Sequence, residues 1–490
     1  MGKRSFSTGV AWIAAGNWIE QAIGFALFLV LARMLGAESF GILAMAGVFV
    51  TLSEFLVRDS VSEGLLSNPS PTRADLNAAF WLLAGFGAVL FAAVTAAAPA
   101  LAALYGQPEI ARLVPWLMTT VPLIAATAVP VAILRRELRF RALAIRAIAG
   151  VVAGGAVGIG MAAAGYGVWS LLGQRLAVVV TNIALAWVAV DWRPGLETDR
   201  QSLRRAAHFG GAVAGLRAAE LAAAQAPALL LGATLGPVAV GFYTVAWRIV
   251  ELLSFLIVTP VRVAAQPVFA AISREGGRSS DLLVALARLA GPVGFPLFAG
   301  VAILARPFVE VAVGPDWADA APILAVLSLV GANACIDRVP QAFCLASGRA
   351  AAQTAAAWAL VLTGAALAAL ALPWGPAGVV TGFAVAHWIV WPARVFITAR
   401  IARVPVRALL APHLAPALLA VPMAGSVALV TGALAPASPA AGLALGVLTG
   451  AAVFAALSAV FLRDRLDLLR TFMLDPASAA ATDAKTTGAT

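Results

Sequence analysis

The sequence predicts an all-α integral membrane protein with about fourteen transmembrane helices, and three observations carry that prediction. The 490-residue chain is 62% hydrophobic and only 11% charged, whereas an average soluble domain is about 25% charged. Apolar stretches recur along almost the whole chain, and lysine and arginine concentrate in every second connection between them. Charged side chains are rarely buried, so a soluble protein of this length would need many more of them to cover its surface. The composition therefore excludes a soluble enzyme, a disordered chain and a nucleic-acid-binding domain.

Each predicted span is an apolar stretch bounded by polar residues or by glycine and proline, and about 20 apolar residues suffice to cross a bilayer. The first stretch is too long for the apolar core of a cleavable signal peptide, so it predicts a first transmembrane helix. The fourteen predicted spans lie near residues 8–32, 40–57, 78–104, 112–134, 143–163, 168–190, 207–231, 238–260, 288–309, 318–336, 352–372, 376–393, 408–433 and 440–462.

The positive charges predict the orientation of these spans. If the N-terminus is cytoplasmic, 27 of the 33 Lys and Arg residues fall in the termini and in the connections on the cytoplasmic side, and only Arg33, Arg112 and Arg306 fall in the opposite connections. Basic loops remain in the cytoplasm during insertion. We therefore expect an even number of spans in a bacterial inner membrane, with both termini cytoplasmic. The same bias explains the net charge of +10 without a nucleic-acid partner.

An internal repeat relates two parts of the chain that are 200 residues apart. The segment MLGAESFGILAMA (34–46) aligns with TLGPVAVGFYTVA (234–246), and both contain a Leu-Gly turn followed by glycine five residues later. Six spans per repeat predict two lobes of the same orientation around a central cleft. The predicted division is an N-terminal lobe at 1–200 (spans 1–6), a C-terminal lobe at 201–400 (spans 7–12), two more spans with an interfacial helix at 401–474, and a disordered cytoplasmic tail at 475–490.

Several segments of the sequence resemble a known family of exporters. They follow one another in the family's order, although SEFLVRDSVSEGLL (53–66) is more charged than the pattern of that family. With the fourteen spans and the repeat, they resemble the polysaccharide (Wzx-type) flippases of the multidrug/oligosaccharidyl-lipid/polysaccharide exporter superfamily. The resembling segments are MLGAESFG (34–41), LRRELRFRALA (134–144), GYGVWSLLGQRL (165–176), LGPVAVGFYTVAWRI (235–249), PVRVAAQPVFAAIS (260–273) and VGPDWADAAPIL (313–324).

The resemblance implies a transporter rather than an enzyme. Such flippases move polyprenyl-diphosphate-linked oligosaccharide from the cytoplasmic to the periplasmic leaflet by alternating access, so the implied partners are the bilayer, that lipid-linked glycan and a polysaccharide polymerase or export machinery. The sequence contains no GxxxxGK[ST] phosphate loop and no metal-ligand spacing. No cofactor is therefore expected except a coupling ion, H⁺ or Na⁺.

Five ionisable residues near the middle of predicted spans are the candidate substrate-binding residues: Glu20, Arg217, Glu220, Arg248 and Glu251. Such residues are costly in a bilayer and by default face the bundle interior or a water-filled cavity. Arginine suits a diphosphate because its planar fork donates two parallel hydrogen bonds to phosphate oxygens, and carboxylates suit sugar hydroxyls or a coupling proton. Alternatively, the arginines neutralise the glutamates three residues further along, which share a helix face with them. The sequence leaves both interpretations open.

A second group lies near the predicted cytoplasmic end of the second span. Glu54, Arg58 and Asp59 are candidates for admitting the substrate, and the alternative is that Glu54 and Arg58 simply pair at i,i+4 spacing. Asp337 and Arg338 are expected at the membrane interface.

Small and aromatic residues carry structural predictions. The segment GVVAGGAVGIG (150–160) predicts close helix packing. Trp169, Trp192, Trp317 and Trp374 lie near predicted span ends and predict an interfacial aromatic belt.

Two other functions remain as alternatives. A cation-coupled multidrug exporter has the same architecture, but arginines at mid-depth would repel a cationic drug. A non-transporting scaffold of an envelope-synthesis complex would tolerate neutralisation of Arg217 and Arg248 together without loss of polymer export.

Overall fold

The structure is a computed structural model that describes residues 3–67, 71–198, 222, 224–274, 279–433 and 438–463. Within helices, the side chains of residues 3–15, 58–67, 257–274, 279, 281, 350 and 351 also lie outside the description. Throughout the described ranges the regular structure is helical and contains no β-strand, in agreement with the predicted all-α class. The predicted tail at 475–490 lies outside these ranges.

Fifteen α-helices follow one another in the described ranges. Two short 3₁₀ turns also occur there, at Pro315–Trp317 and at Leu372–Trp374. The helices are α1 (Lys3–Ser67), α2 (Arg73–Tyr105), α3 (Pro108–Met118), α4 (Thr120–Arg136), α5 (Phe140–Ala163), α6 (Val168–Val188), α7 (Ala224–Leu235), α8 (Pro237–Arg274), α9 (Ser279–Ile303), α10 (Ala305–Ala312), α11 (Ala320–Ala346), α12 (Ala350–Leu370), α13 (Gly375–Ala402), α14 (Val406–Ala433) and α15 (Pro439–Phe461).

The described helices account for thirteen of the fourteen predicted spans and for part of the seventh. Twelve helical segments in the described ranges are long and apolar enough to cross a membrane. One of them, Gly16–Val57, runs through a bend at Gly36 and contains the first two predicted spans. The short helix α7 is the described part of the predicted seventh span. The chain is therefore a multi-pass helical membrane protein, as the sequence predicts.

The chain forms two compact units, Met1–Thr244 and Val245–Thr490. In the first unit α5 packs along α6 and α1, and α1 also packs on α4. The small residues of α5 allow this closeness: a Cβ at Gly158 would lie 2.9 Å from the Cβ of Gln174, and a Cβ at Gly155 would lie 3.0 Å from Cγ of Leu27. The close packing predicted for 150–160 is confirmed.

The connection that follows α6 is held on the first unit by hydrogen bonds and aromatic contacts. Asn77 donates to the carbonyl of Glu197 (3.0 Å) and accepts from the amide of Gly195 (3.1 Å). The Trp192 ring stacks on Trp187 with centroids 6.0 Å apart. This end of the unit is therefore a folded surface rather than a loose loop.

The second unit has a core between α9, α11, α13 and α14. α15 packs on α14 and α10. Among its small buried residues, Gly450 faces Val427 of α14 and Gly446 faces Leu304, which precedes α10, whereas Val447 and Leu448 are exposed. Such a helix suits a lipid environment, since lipid and protein interior are equally apolar. The core residues are Leu282, Leu283, Leu286, Ala287, Val339, Phe343, Cys344, Val395, Ala399 and Leu409.

Trp317 corrects one expectation from the sequence. Its side chain is only 2% exposed, so it packs inside the second unit and does not belong to an interfacial belt. Trp374, at 74% exposed, keeps the environment expected of a belt residue.

The repeat is visible in the backbone. Gly36 and Gly236 have left-handed φ values of 72° and 82°, which glycine adopts without the steric cost of a side chain. Each turn also packs against the other: a Cβ at Gly41 would lie 2.9 Å from Cα of Pro237, and one at Gly241 would lie 3.0 Å from Cα of Ala37. The two turns that align in sequence thus meet in a reciprocal contact inside the first unit.

Candidate substrate-binding site

The pair Arg248–Glu251 lies on α8, as predicted from its spacing. Arg248 Nη1 donates to Glu251 Oε2 over 2.7 Å, and the two side chains are 34% and 51% exposed. The charges therefore neutralise each other along one helix turn, but neither is buried by protein. A charged pair inside a span that the protein does not cover needs water or a polar ligand around it, so pairing and substrate contact are compatible here.

The other members of the predicted group of five are only partly described. Glu20 is partly buried on α1, and Arg217 and Glu220 lie outside the described residues. The convergence of these five residues on one site stays a prediction.

Glu54 lies inside a long helix rather than at its end. α1 continues to Ser67, thirteen residues beyond Glu54, which corresponds to about 20 Å of helix. Its side chain is buried, at 7% residue exposure. The side chains of Arg58 and Asp59 lie outside the description, and the access role of these three residues stays a prediction.

Two partners from distant helices hold the Glu54 carboxylate. Arg175 on α6 donates from Nη2 to Glu54 Oε2 over 2.7 Å. Thr120, the first residue of α4, donates its hydroxyl to Oε1 of Glu54 and lies 2.7 Å from the carbonyl oxygen of Leu117. One carboxylate thus links three helices of the first unit, and we call Glu54, Arg175 and Thr120 the Glu54 cluster.

The second unit has its own buried ion pair. Asp337 on α11 accepts from Arg394 Nη1 on α13 over 2.5 Å, and these side chains are 10% and 15% exposed. The helix places Asp337 on the face that packs against α13. Arg338, one residue further on, is exposed. The interfacial position expected of both residues stays a prediction.

Sequence reasoning missed three of these residues for identifiable reasons. Arg175 lies inside the predicted sixth span (168–190), but its acid partner is 121 residues away. Arg394 lies one residue beyond the predicted twelfth span (376–393), whereas α13 continues to Ala402. Thr120 carries no signal of its own, since a threonine in an apolar helix is common.

No group of three or more His, Cys, Asp or Glu side chains able to hold a metal occurs in the described ranges. The two cysteines, Cys335 and Cys344, are buried and not bonded to each other.

Two solved membrane transporters have a fold similar to that of this chain. A lipid II flippase, MurJ, in an inward closed conformation aligns with a TM-score of 0.74 at 15% sequence identity, over 93% of this chain and 99% of that chain. An inward-facing multidrug resistance transporter of the MATE family aligns with a TM-score of 0.58 at 17% identity, over 80% of this chain and 96% of that chain. The fold is therefore that of the helical exporters to which these proteins belong.

The family follows from the sequence comparison. The profile of the polysaccharide biosynthesis protein family matches residues 30–322, more than half of the chain. The chain belongs to this family, as the resemblance predicted.

Curated relatives of the chain carry names from polysaccharide assembly. The succinoglycan biosynthesis transport protein ExoT of Rhizobium meliloti strain 1021 is 23% identical over 66% of this chain and 66% of the relative. The lipopolysaccharide biosynthesis protein WzxC of Escherichia coli K12 is 22% identical over 66% of this chain and 66% of the relative. The teichuronic acid biosynthesis protein TuaB of Bacillus subtilis strain 168 is 23% identical over 71% of this chain and 72% of the relative. The chain thus spans just under two thirds of the length of the first two relatives.

Proposed function

We propose that the protein translocates polyprenyl-diphosphate-linked oligosaccharide from the cytoplasmic to the periplasmic leaflet of a bacterial inner membrane by alternating access, for the assembly of a surface polysaccharide. The family match over residues 30–322 carries this proposal. The relatives named for succinoglycan transport and for lipopolysaccharide and teichuronic acid biosynthesis support it.

The charges of the spans favour this substrate over a cationic drug. A dianionic diphosphate needs positive hydrogen-bond donors at mid-depth, and arginine supplies them in a planar fork. Arg175 and Arg248 both lie inside helices long enough to span a bilayer, with 32% and 34% of their side chains exposed. Since fold alone does not determine function, these charges are the reason to prefer the flippase over the multidrug exporter.

The proposal includes the orientation and the partners expected from the sequence. Both termini are cytoplasmic, the protein catalyses no covalent reaction, and a polysaccharide polymerase or export complex receives its product. Energy comes from a gradient of H⁺ or Na⁺ or from the consumption of the substrate on the outer side.

Reconstitution tests the proposal directly. Purified full-length protein is placed in vesicles that contain a polyprenyl-diphosphate oligosaccharide with a fluorescent label on the glycan, and an impermeant quencher is added outside. We expect the protein to accelerate loss of the protected fluorescence relative to protein-free vesicles, and imposed H⁺ or Na⁺ gradients then identify the coupling ion.

The same vesicles separate the alternatives. Export of a cationic dye without movement of the labelled lipid would favour the multidrug exporter. No transport of either compound, combined with loss of polymer in a deletion strain, would favour the scaffold. In that deletion strain the flippase proposal requires lipid-linked repeat units to accumulate in the cytoplasmic leaflet.

A further inference from the structure

Arg175 differs from the other cross-helix arginine in how much of its guanidinium the protein covers. Its side chain is 32% exposed, whereas that of Arg394 is 15% exposed. Nε of Arg394 is buried without a hydrogen-bond partner in the described part of the chain. The Arg394–Asp337 pair is thus enclosed, and the Arg175–Glu54 pair is enclosed on the Glu54 side only.

The open side of Arg175 still has donors to offer. A guanidinium carries five N–H donors, and among the described residues Arg175 makes one hydrogen bond, from Nη2 to Glu54. The carboxylate holds Nη2 in place, and the other guanidinium donors make no hydrogen bond to a described residue.

Arg175 lies well inside its span. It is the eighth residue of α6, which runs from Val168 to Val188, so it lies about 10 Å from the start of the helix along its axis. Thr120, the other residue bonded to Glu54, lies twelve residues into the Pro108–Arg136 span. An exposed cation at this depth must face an aqueous or polar space rather than lipid, because bare charge in the bilayer core is costly.

We infer that Arg175 binds the diphosphate of the lipid-linked substrate inside the first unit, and that Glu54 orients its guanidinium and weakens its hold on the anion. This inference rests on the proposed function and adds a named anion ligand to it. Thr120 keeps the carboxylate in place from the opposite side. A transporter must release its substrate, and a carboxylate beside the arginine prevents the anion from being held too tightly.

A purely structural role for the Glu54–Arg175 pair predicts different effects of the same substitutions. If Glu54 and Arg175 only join α1, α4 and α6, removing either charge strands the other in a buried place and is equally harmful. Replacing both by glutamine leaves no unpaired charge between the helices and should then restore the protein. An anion ligand cannot be restored in this way.

The test measures binding of a glycan-free polyprenyl diphosphate to the purified full-length protein, with polyprenyl monophosphate and inorganic pyrophosphate as comparison ligands. We expect Arg175→Gln to weaken diphosphate binding roughly tenfold or more, as for the loss of a charge-assisted hydrogen bond. Arg175→Lys keeps the charge but not the planar fork. Its affinity for the diphosphate should therefore lie between those of the unaltered protein and Arg175→Gln. We expect Glu54→Gln to bind the diphosphate more tightly but to transport the labelled lipid more slowly.

A matched control comes from the enclosed pair. The double variant Asp337→Asn/Arg394→Gln should bind the diphosphate as the unaltered protein does. Thermal unfolding in detergent is measured for every variant, and if Arg175→Gln does not fold, Arg175→Lys and Glu54→Gln carry the test through their opposite directions in binding.

Two results would overturn the inference. Weakened binding in Glu54→Gln, with recovery in Glu54→Gln/Arg175→Gln, would make the pair structural. Inorganic pyrophosphate binding as tightly as the lipid diphosphate would assign the site to a free anion instead of the lipid headgroup.

The outcomes also separate this inference from the proposed function. If the unaltered protein binds the diphosphate through Arg175 but does not move the lipid-linked oligosaccharide, the proposed function fails and the anion site stands. If it moves the oligosaccharide and Arg175→Gln binds normally, the anion site fails and the function stands.

Discussion

At the scale of single residues, exposure separates three ion pairs that share the same chemistry. The carboxylates of Glu54 and Asp337 are each 10% exposed and bonded to an arginine of another helix, whereas Glu251 is 51% exposed and bonded within its own helix. A buried charge depends on its partner far more than an exposed one does. The three pairs should therefore respond differently to the same substitution.

The enclosed pair predicts a large effect on stability. Asp337→Asn leaves Arg394 buried without a counter-charge, and we expect the free energy of unfolding to fall by about 3–5 kcal/mol. The matched control, Glu251→Gln, removes one charge from an exposed pair and should change it by about 1 kcal/mol or less. Denaturation in detergent measures both, and equal effects would contradict the assignment of the first pair as enclosed.

The exposed pair on α8 predicts an effect on transport instead. Arg248→Gln should slow movement of the labelled lipid roughly tenfold through loss of a charged donor, and Arg217→Gln together with it should abolish polymer export. Glu251→Gln should slow movement of the labelled lipid less than Arg248→Gln does, because a sugar hydroxyl can donate its hydrogen bond to another acceptor. Export that persists in the double arginine variant, with the protein still inserted, would support the scaffold and contradict the flippase.

Much of the residue-scale site could not be predicted from the sequence. The i,i+4 spacing suggested Arg58 as the partner of Glu54, but the carboxylate is held by Arg175 and Thr120, which are 121 and 66 residues away. Local spacing identifies neighbours on one helix, whereas partners on other helices depend on how the helices pack.

At the scale of elements, the two glycine turns are the clearest expression of the repeat. Gly36 and Gly236 bend the chain with left-handed φ angles, and five residues later Gly41 and Gly241 each pack against the opposite turn. A side chain at either position would overlap with backbone, which cannot move aside as a flexible side chain can. The contact therefore requires glycine at both positions.

This contact predicts a matched set of variants. Gly41→Val or Gly241→Val should force the turns apart at a cost of about 1–3 kcal/mol, typical of overpacking, and should slow transport if the turns close together in each cycle. Gly47→Val is the control, since that helical glycine has no neighbour within 4 Å. Equal transport in all three variants would show that the turns do not need to approach each other.

Helix ends were the least accurate part of the sequence prediction. The second and twelfth spans were expected to end at 57 and 393, but α1 continues to Ser67 and α13 to Ala402. Hydropathy ends a span at the first charged residues, whereas arginine and glutamate are good helix formers and let the helix continue. The extension is what brings Arg394 into the fold of the second unit.

At the scale of the whole molecule, the distribution of positive charge predicts which ends of the helices face the cytoplasm. The only two cysteines are buried, so a single introduced cysteine can be labelled with little background. An impermeant thiol reagent should label Arg306→Cys in intact spheroplasts and label Arg139→Cys only after permeabilisation. The reverse pattern would invert the orientation and the proposed direction of transport.

The sequence by itself determined the class of protein, the position of most of its spans and the repeat. These follow from composition and length, because a bilayer demands an apolar stretch of fixed minimum length for each crossing and retains basic loops on one side. The two glycine turns could also be recognised by aligning the sequence with itself.

Only the tertiary structure decided which charges meet. In a membrane helix the face toward lipid and the face toward protein are both apolar, so periodicity does not reveal which side of α6 or α11 faces its neighbours. The rotation of each helix is set by close packing of small side chains, and that rotation places Arg175 on Glu54 and Arg394 on Asp337 across 121 and 57 residues of sequence.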